Sequence, residues 1–227
     1  VPLTGGTDKM RASTEIGRIR AYSKLRKNTE FSYDTWKDSI RSGNTFVTFG
    51  PLMEFSVNGH EAGSRLKMKK TGGSVTVSWQ AASIKHVISA VELVVNGEVV
   101  DGKQIYANNN GYGNSSEGYF ELMIERSSWV CLLIRGALSY DGHEQILAHS
   151  SSVMIDVAGS GFFSAPDAIS MIDQIEGSIA YIDHIGTRAE LQRYRAMRLI
   201  LEQAHKTLHD RLHQFGHDHA HNIGYQH

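Results

Sequence analysis

A single cysteine, Cys131, stands among the 227 residues, so no disulfide can close within the chain. It lies in the apolar run Trp129-Val-Cys-Leu-Leu-Ile134 and reads as a buried core residue rather than a nucleophile. One cysteine does not define a compartment. No apolar run reaches the roughly 20 residues that a membrane-spanning helix needs. No secretory leader pattern opens the chain. An excess of charge is also missing: 23 Lys and Arg against 24 Asp and Glu leave a net charge of -1. That balance speaks against the broad basic field of a nucleic-acid-binding protein. The opening Val1-Pro2-Leu3 lacks an initiator methionine, so a chain processed or cut from a longer one is expected. No internal repeat of solenoid length is present.

What remains is ordinary globular composition, with 41% hydrophobic and 21% charged residues. Three regions separate by pattern. In the first, Ser32-Tyr-Asp-Thr-Trp-Lys-Asp-Ser-Ile-Arg-Ser-Gly43 predicts a helix. Ser32 caps it, Asp34 suits its positive end and Gly43 stops it.

The second region, 45–161, reads as strands. Thr45 to Phe49 is β-branched and aromatic and precedes the Gly50-Pro51 break. Ser74 to Trp79 alternates, with Val75, Val77 and Trp79 on one face. Asn96-Gly97, between Val91–Val95 and Glu98–Val100, is a type I′ hairpin signal, and Asn58-Gly59 is a second turn. Phe120–Ile124, Trp129–Ile134 and Val153–Val157 complete the pattern of an antiparallel β-sandwich. Trp79 and Trp129 are expected in its core. The polar stretch 108–116 is expected to be a loop between strands, Asp141-Gly-His143 a hairpin turn, and Lys67-Met-Lys-Lys70 a solvated strand end.

The third region, 162–216, predicts a helical hairpin. Ser164-Ala-Pro-Asp167 caps a helix whose Ala168, Met171, Ile172, Ile175, Ile179 and Ile182 form one stripe. Gly186 ends it, and Thr187-Arg-Ala-Glu190 reads as a capping box for the next. There Leu191, Tyr194, Met197, Leu201, Ala204, Leu208 and Leu212 recur at spacings of three and four. Two such stripes cover each other only in part, so a homodimer is among the expected partners. Residues 217–227 form a His-rich tail.

A family resemblance rests on motifs in order. Gly5-Gly-Thr-Asp8 is followed by Arg18-Ile-Arg-Ala-Tyr22 and the helix carrying Tyr33 and Trp36. Gly43-Asn-Thr-Phe-Val-Thr-Phe-Gly-Pro-Leu52, Val57-Asn-Gly59 and Val94-Val-Asn-Gly-Glu-Val99 come next. The order resembles the C-terminal part of the CehA/McbA-like branch of the PHP superfamily of metal-dependent hydrolases, over about residues 1 to 160. The resemblance implies that 1–44 is a βα segment ending the catalytic barrel, whose N-terminal half is the missing partner. It implies that Asp8 is a metal ligand for zinc, manganese or iron in the full-length protein. Many members carry histidine two residues after this aspartate, where this chain has Met10. The family's histidine-rich motifs are absent. The resemblance therefore implies a largely non-catalytic portion of an enzyme hydrolysing esters, amides or phosphoesters.

Taken without the family, Asp8 is a turn-capping aspartate. His205, His209, His213 and His217 stand four apart, so a continuous helix aligns them along one drifting face. They fit a solvated helix end with incidental affinity for zinc or nickel, a metal site, or a pH-responsive contact. His149 in Ala148-His-Ser-Ser-Ser152 reads as structural, because adjacent strand residues face opposite sides. Two other functions stay open beside the hydrolase: a sandwich module binding carbohydrate or protein, with Tyr106, Tyr112 and Tyr119 near its long loop, and a His-rich metal-binding protein.

Overall fold

The computed structural model describes residues 2–106, 114–138, 142–186 and 190–216. Mainly β, it holds two sheets and a C-terminal helix pair, and it divides into two compact units at Gly161/Phe162.

In the first unit, strand β1 (Arg20–Ser23), helix α1 (Tyr33–Ser42) and strand β2 (Thr45–Thr48) open the chain. Ser32 Oγ accepts from the Thr35 amide while Thr35 Oγ1 accepts from the Ser32 amide, so both orphan donors are satisfied. Gly43 closes the helix at φ 80°, a left-handed cap that glycine adopts without steric cost. β1 pairs antiparallel with β2 and so extends the sandwich sheet, which begins at Arg20 rather than at residue 45.

Ten further strands follow: β3 (Leu52–Val57), β4 (His60–Glu61), β5 (Arg65–Met68), β6 (Gly73–Ala82), β7 (Val87–Val95), β8 (Glu98–Gln104), β9 (Ser115–Ile124), β10 (Ser128–Ala137), β11 (Glu144–Ser150) and β12 (Val153–Val157). One sheet has the order β4-β3-β6-β9, all antiparallel. The other is built on β10, which pairs with β7 along one edge and with β12 and then β11 along the other. Asn96 and Gly97 both take positive φ, as the two-residue turn between β7 and β8 requires. Asn58 and Gly59 do the same between β3 and β4. The expected solvated strand end at Lys67 belongs to β5, which runs parallel to β12 and is tied to it by Arg65 and Asp156 at 2.7 Å.

The inter-sheet core takes Phe55, Val77, Trp79 and Phe120 from the smaller sheet and Val91, Leu93, Leu132 and Ile134 from the larger. Trp129 is a correction. It packs with Val94, Cys131 and Leu133 on the opposite face of the larger sheet, because residues 129, 131 and 133 alternate with the core-facing 130, 132 and 134. Burial raises the Cys131 thiol to about 12, so at neutral pH it is no nucleophile.

The second unit pairs helix α2 (Ala165–His184) with helix α3 (Leu191–Gln214). Asp183 meets Tyr194 and Arg198, Glu176 meets His205, and Ile172 packs with Leu212, so the helices run antiparallel. The expected stripes are shifted. Met171, Leu191 and Met197 are exposed, whereas Glu176 and His205 are buried. α3 takes Glu190 as its N-cap without a side-chain hydrogen bond, and Thr187 of the expected capping box lies outside the described residues. No helix among the described residues is long and apolar enough to cross a membrane.

Candidate functional site

Residues 2–19 carry no regular strand or helix, yet they are bound to the sandwich. The Leu3 amide donates to Ser151 Oγ at 2.8 Å, and Thr45 Oγ1 donates to the Leu3 carbonyl at 2.7 Å. Thr45 and Ser151 are themselves buried and within 2.7 Å of each other. Buried hydroxyls without partners would be costly, so this pair holds the Leu3 backbone by its amide and its carbonyl. Gly5 lies so close to β2 that a Cβ would meet Val47 Cγ1 at 2.9 Å. Thr7 Oγ1 then accepts from the Ile19 amide and donates to the Ile19 carbonyl, both at 3.2 Å, closing a loop over residues 8–18.

Asp8 begins that loop at φ 45°, the left-handed region that aspartate tolerates better than most residues. It is exposed, and its carboxylate has no hydrogen bond or ion pair among the described residues. Next to it the Lys9 ammonium donates to the carbonyls of Ala12 and Thr14, which ties the loop to itself. Met10 is exposed as well.

A groove of about 1200 Å³ opens between the sheets, lined from β1 and β2 on one side and from β3, β6 and β9 on the other. Tyr22, stacked on Phe46 at 5.2 Å, Lys24, Glu54, Gln80 and Tyr119 stand among its lining residues. Lys24 hydrogen-bonds Glu61, which also accepts from Asn44 Nδ2 at 2.9 Å. The Lys24 hydrogen bond, helped by Asn44, holds the Glu61 carboxyl below its ordinary range, and the bond to Glu61 raises Lys24. Tyr119 is thus a strand residue of β9; Tyr112 and most of the expected loop lie outside the described residues, as does Asp141.

The His149 neighbourhood is structural. Its Nδ1 lies 2.7 Å from the Ser150 carbonyl. Ser150 Oγ accepts from the Leu132 amide at 2.9 Å, and Ser151 Oγ is committed to Leu3. Neither hydroxyl is placed for attack.

In the helical unit the histidines divide by role. His205 Nε2 lies 2.9 Å from Glu176 Oε1, with both side chains about nine-tenths buried. His209 stacks on His205 with ring centroids 6.0 Å apart. His209 Nε2 and His213 Nε2 lie 3.2 Å apart, with the rings edge to face. His217 lies outside the described residues. Helical spacing predicts the alignment, but the sequence gives no sign that Glu176 faces His205 or that Asp183 binds Tyr194 and Arg198. A Glu and an Asp on an amphipathic helix read as solvated until the partner helix is placed. Replacing Glu176 by Ala removes the carboxylate that meets a buried imidazole, so an unfolding free-energy loss of about 1–3 kcal/mol is expected. The paired change Glu176→Leu with His205→Leu should recover most of it, as urea denaturation would measure.

Among the described residues, no three His, Cys, Asp or Glu side chains come together as a metal-holding group. Comparison with protein-family models and with curated proteins finds no match for this chain.

Proposed function

We propose that this chain is the C-terminal, largely non-catalytic portion of a metal-dependent hydrolase of the PHP type, acting on esters, amides or phosphoesters as the full-length protein. The observation that carries the reading is Asp8: an exposed carboxylate with no partner among the described residues, on a turn fastened to a β-sandwich through Leu3 and Gly5 and closed by Thr7 on Ile19. The sandwich acts as a rigid footing, and the fastened segment presents one hard oxygen donor to whatever the rest of the protein brings. A carboxylate of this kind suits zinc, manganese or iron as one ligand among several. Asp8 fits as one ligand among several, because no group of three or more His, Cys, Asp or Glu that could hold an ion is present among the described residues. When bound, the metal would lower the pKa of a water and polarise the scissile group. The contribution of this chain is to hold the carboxylate, fix the turn that carries it and support the neighbouring domain.

The test uses Asp8→Asn, which keeps a residue tolerant of the left-handed turn while removing the charge. In the full-length protein this change should strip bound divalent metal and abolish turnover of aryl esters or phosphodiesters. The melting curve should stay within about 0.5 kcal/mol of the parent, as for other exposed positions. The present chain, supplied with manganese or zinc, should turn these substrates over no faster than its Asp8→Asn variant. Unchanged metal content and turnover in the full-length variant would overturn the reading, and so would robust turnover by the present chain that the substitution removes.

A further inference from the structure

We propose that His209 and His213 form a two-histidine site for a first-row transition ion on the last turns of α3, separate from Asp8 and independent of the reading above. Their Nε2 atoms stand 3.2 Å apart. Two imidazole nitrogens, each bound to one tetrahedral zinc at about 2.0–2.1 Å, stand about 3.3 Å apart. The pair therefore already has the bite of a single ion. The rings meet at 76° with centroids 4.4 Å apart, edge to face rather than stacked, so a modest turn of the two rings brings both nitrogens to bear on one ion. Without an ion, one ring donates its N–H to the other; an ion would take the place of that proton, with the two rings turning so that both lone pairs face it.

Three contacts hold this geometry. Leu212, fully buried against Ala165, Ala168 and Ile172, fixes the rotation of α3 at that turn. The stacked His205 ring restrains His209, and Glu176 restrains His205 in turn. His205 is committed to the carboxylate, so among the described residues the ladder offers two ligands, with water or an exogenous ligand completing the ion. Imidazole donors without thiolate suit zinc, nickel or copper(II) rather than calcium or magnesium. Coordination would staple the last turns of α3, where backbone carbonyls are left unpaired and a helix frays.

Zinc chloride titrated calorimetrically into the full chain tests this. The variant used first replaces His217, His219, His221 and His227 by Ala, which silences the tail and leaves the helix intact. It should still bind zinc, with an absorption-edge spectrum showing two imidazoles. In that background His213→Ala should weaken zinc binding by about tenfold or more. His213 is exposed, so its removal should leave the far-ultraviolet dichroism of the metal-free chain unchanged. His209→Ala should weaken binding similarly, with the same dichroism control. Loss of zinc binding on silencing the tail alone would overturn the proposal, because the tail would then be the chelator. Unaltered affinity in His213→Ala would also overturn it.

Discussion

Gly63→Ala is expected to lower the thermal midpoint of this chain by roughly 10 °C, whereas Gly59→Ala should lower it by only a few degrees. Both glycines lie in turns at positive φ, +82° and +77°. Both substitutions therefore carry the left-handed penalty of about 1–2 kcal/mol. Their surroundings differ. Nothing lies within 4 Å of a Cβ at Gly59. At Gly63 a Cβ would fall 2.1 Å from the Ser42 carbonyl oxygen and 2.6 Å from the Gly43 carbonyl carbon. These are backbone atoms of the α1 C-terminus and cannot rotate away. Overpacking of this kind costs about 1–3 kcal/mol more. The contact is also where α1 meets the sandwich, since Gly63 donates its amide to the Ser152 carbonyl and Gly43 in turn lies near Pro2. Loosening it should free the segment carrying Asp8, so hydrogen exchange at residues 3–8 should rise in Gly63→Ala and stay unchanged in Gly59→Ala. Equal losses of midpoint in the two variants would show that the steric argument is wrong.

The second large effect lies in the sandwich core. Phe120→Ala should cost about 3–5 kcal/mol, the usual range for deleting a buried aromatic ring. Trp79, its neighbour at 6.2 Å between centroids, should behave unusually. Its indole Nε1 is buried with no hydrogen-bond partner among the described residues. An unpaired buried donor costs about 1–3 kcal/mol. Trp79→Phe removes that donor and leaves a smaller ring, so the lost packing and the relieved desolvation oppose each other. The expected net change is within about 1 kcal/mol, while Trp79→Ala should cost about 3–5 kcal/mol. The indole lies across Gly118, its direct partner on β9, where a Cβ would meet Cζ2 at 2.8 Å. Urea denaturation of the three variants would decide the matter. A Trp79→Phe loss as large as that of Trp79→Ala would mean that indole shape, not its N–H, dominates.

Local chemistry made much of the fold legible. Asn-Gly pairs fix their own turns, since few other residues take two successive positive φ angles cheaply. Alternation placed Val75, Val77 and Trp79 on one face, and the caps at Ser32 and Ser164 marked helix starts because the orphan amides there need an acceptor. Alternation also separates Trp129 from Val130. It cannot say which side of β10 becomes the core, because that strand is apolar on both faces. The parallel pairing of β5 with β12 has no local signal at all, since its partners lie some 90 residues apart and meet only when the sheet closes.

The candidate sites divide the same way. The four-residue spacing of His205, His209 and His213 follows from the helix period, so the sequence determined that these rings share a face. Only the tertiary structure decided that His205 turns inward to Glu176 while His209 and His213 meet each other, because burial depends on where the neighbouring helix lies. For Asp8 the sequence determined a small-residue turn bearing a carboxylate. Its fastening to the sandwich through Thr45 and Ser151, which are 106 residues apart, was decided by the packing of β2 against the end of β11, a contact that no local propensity encodes.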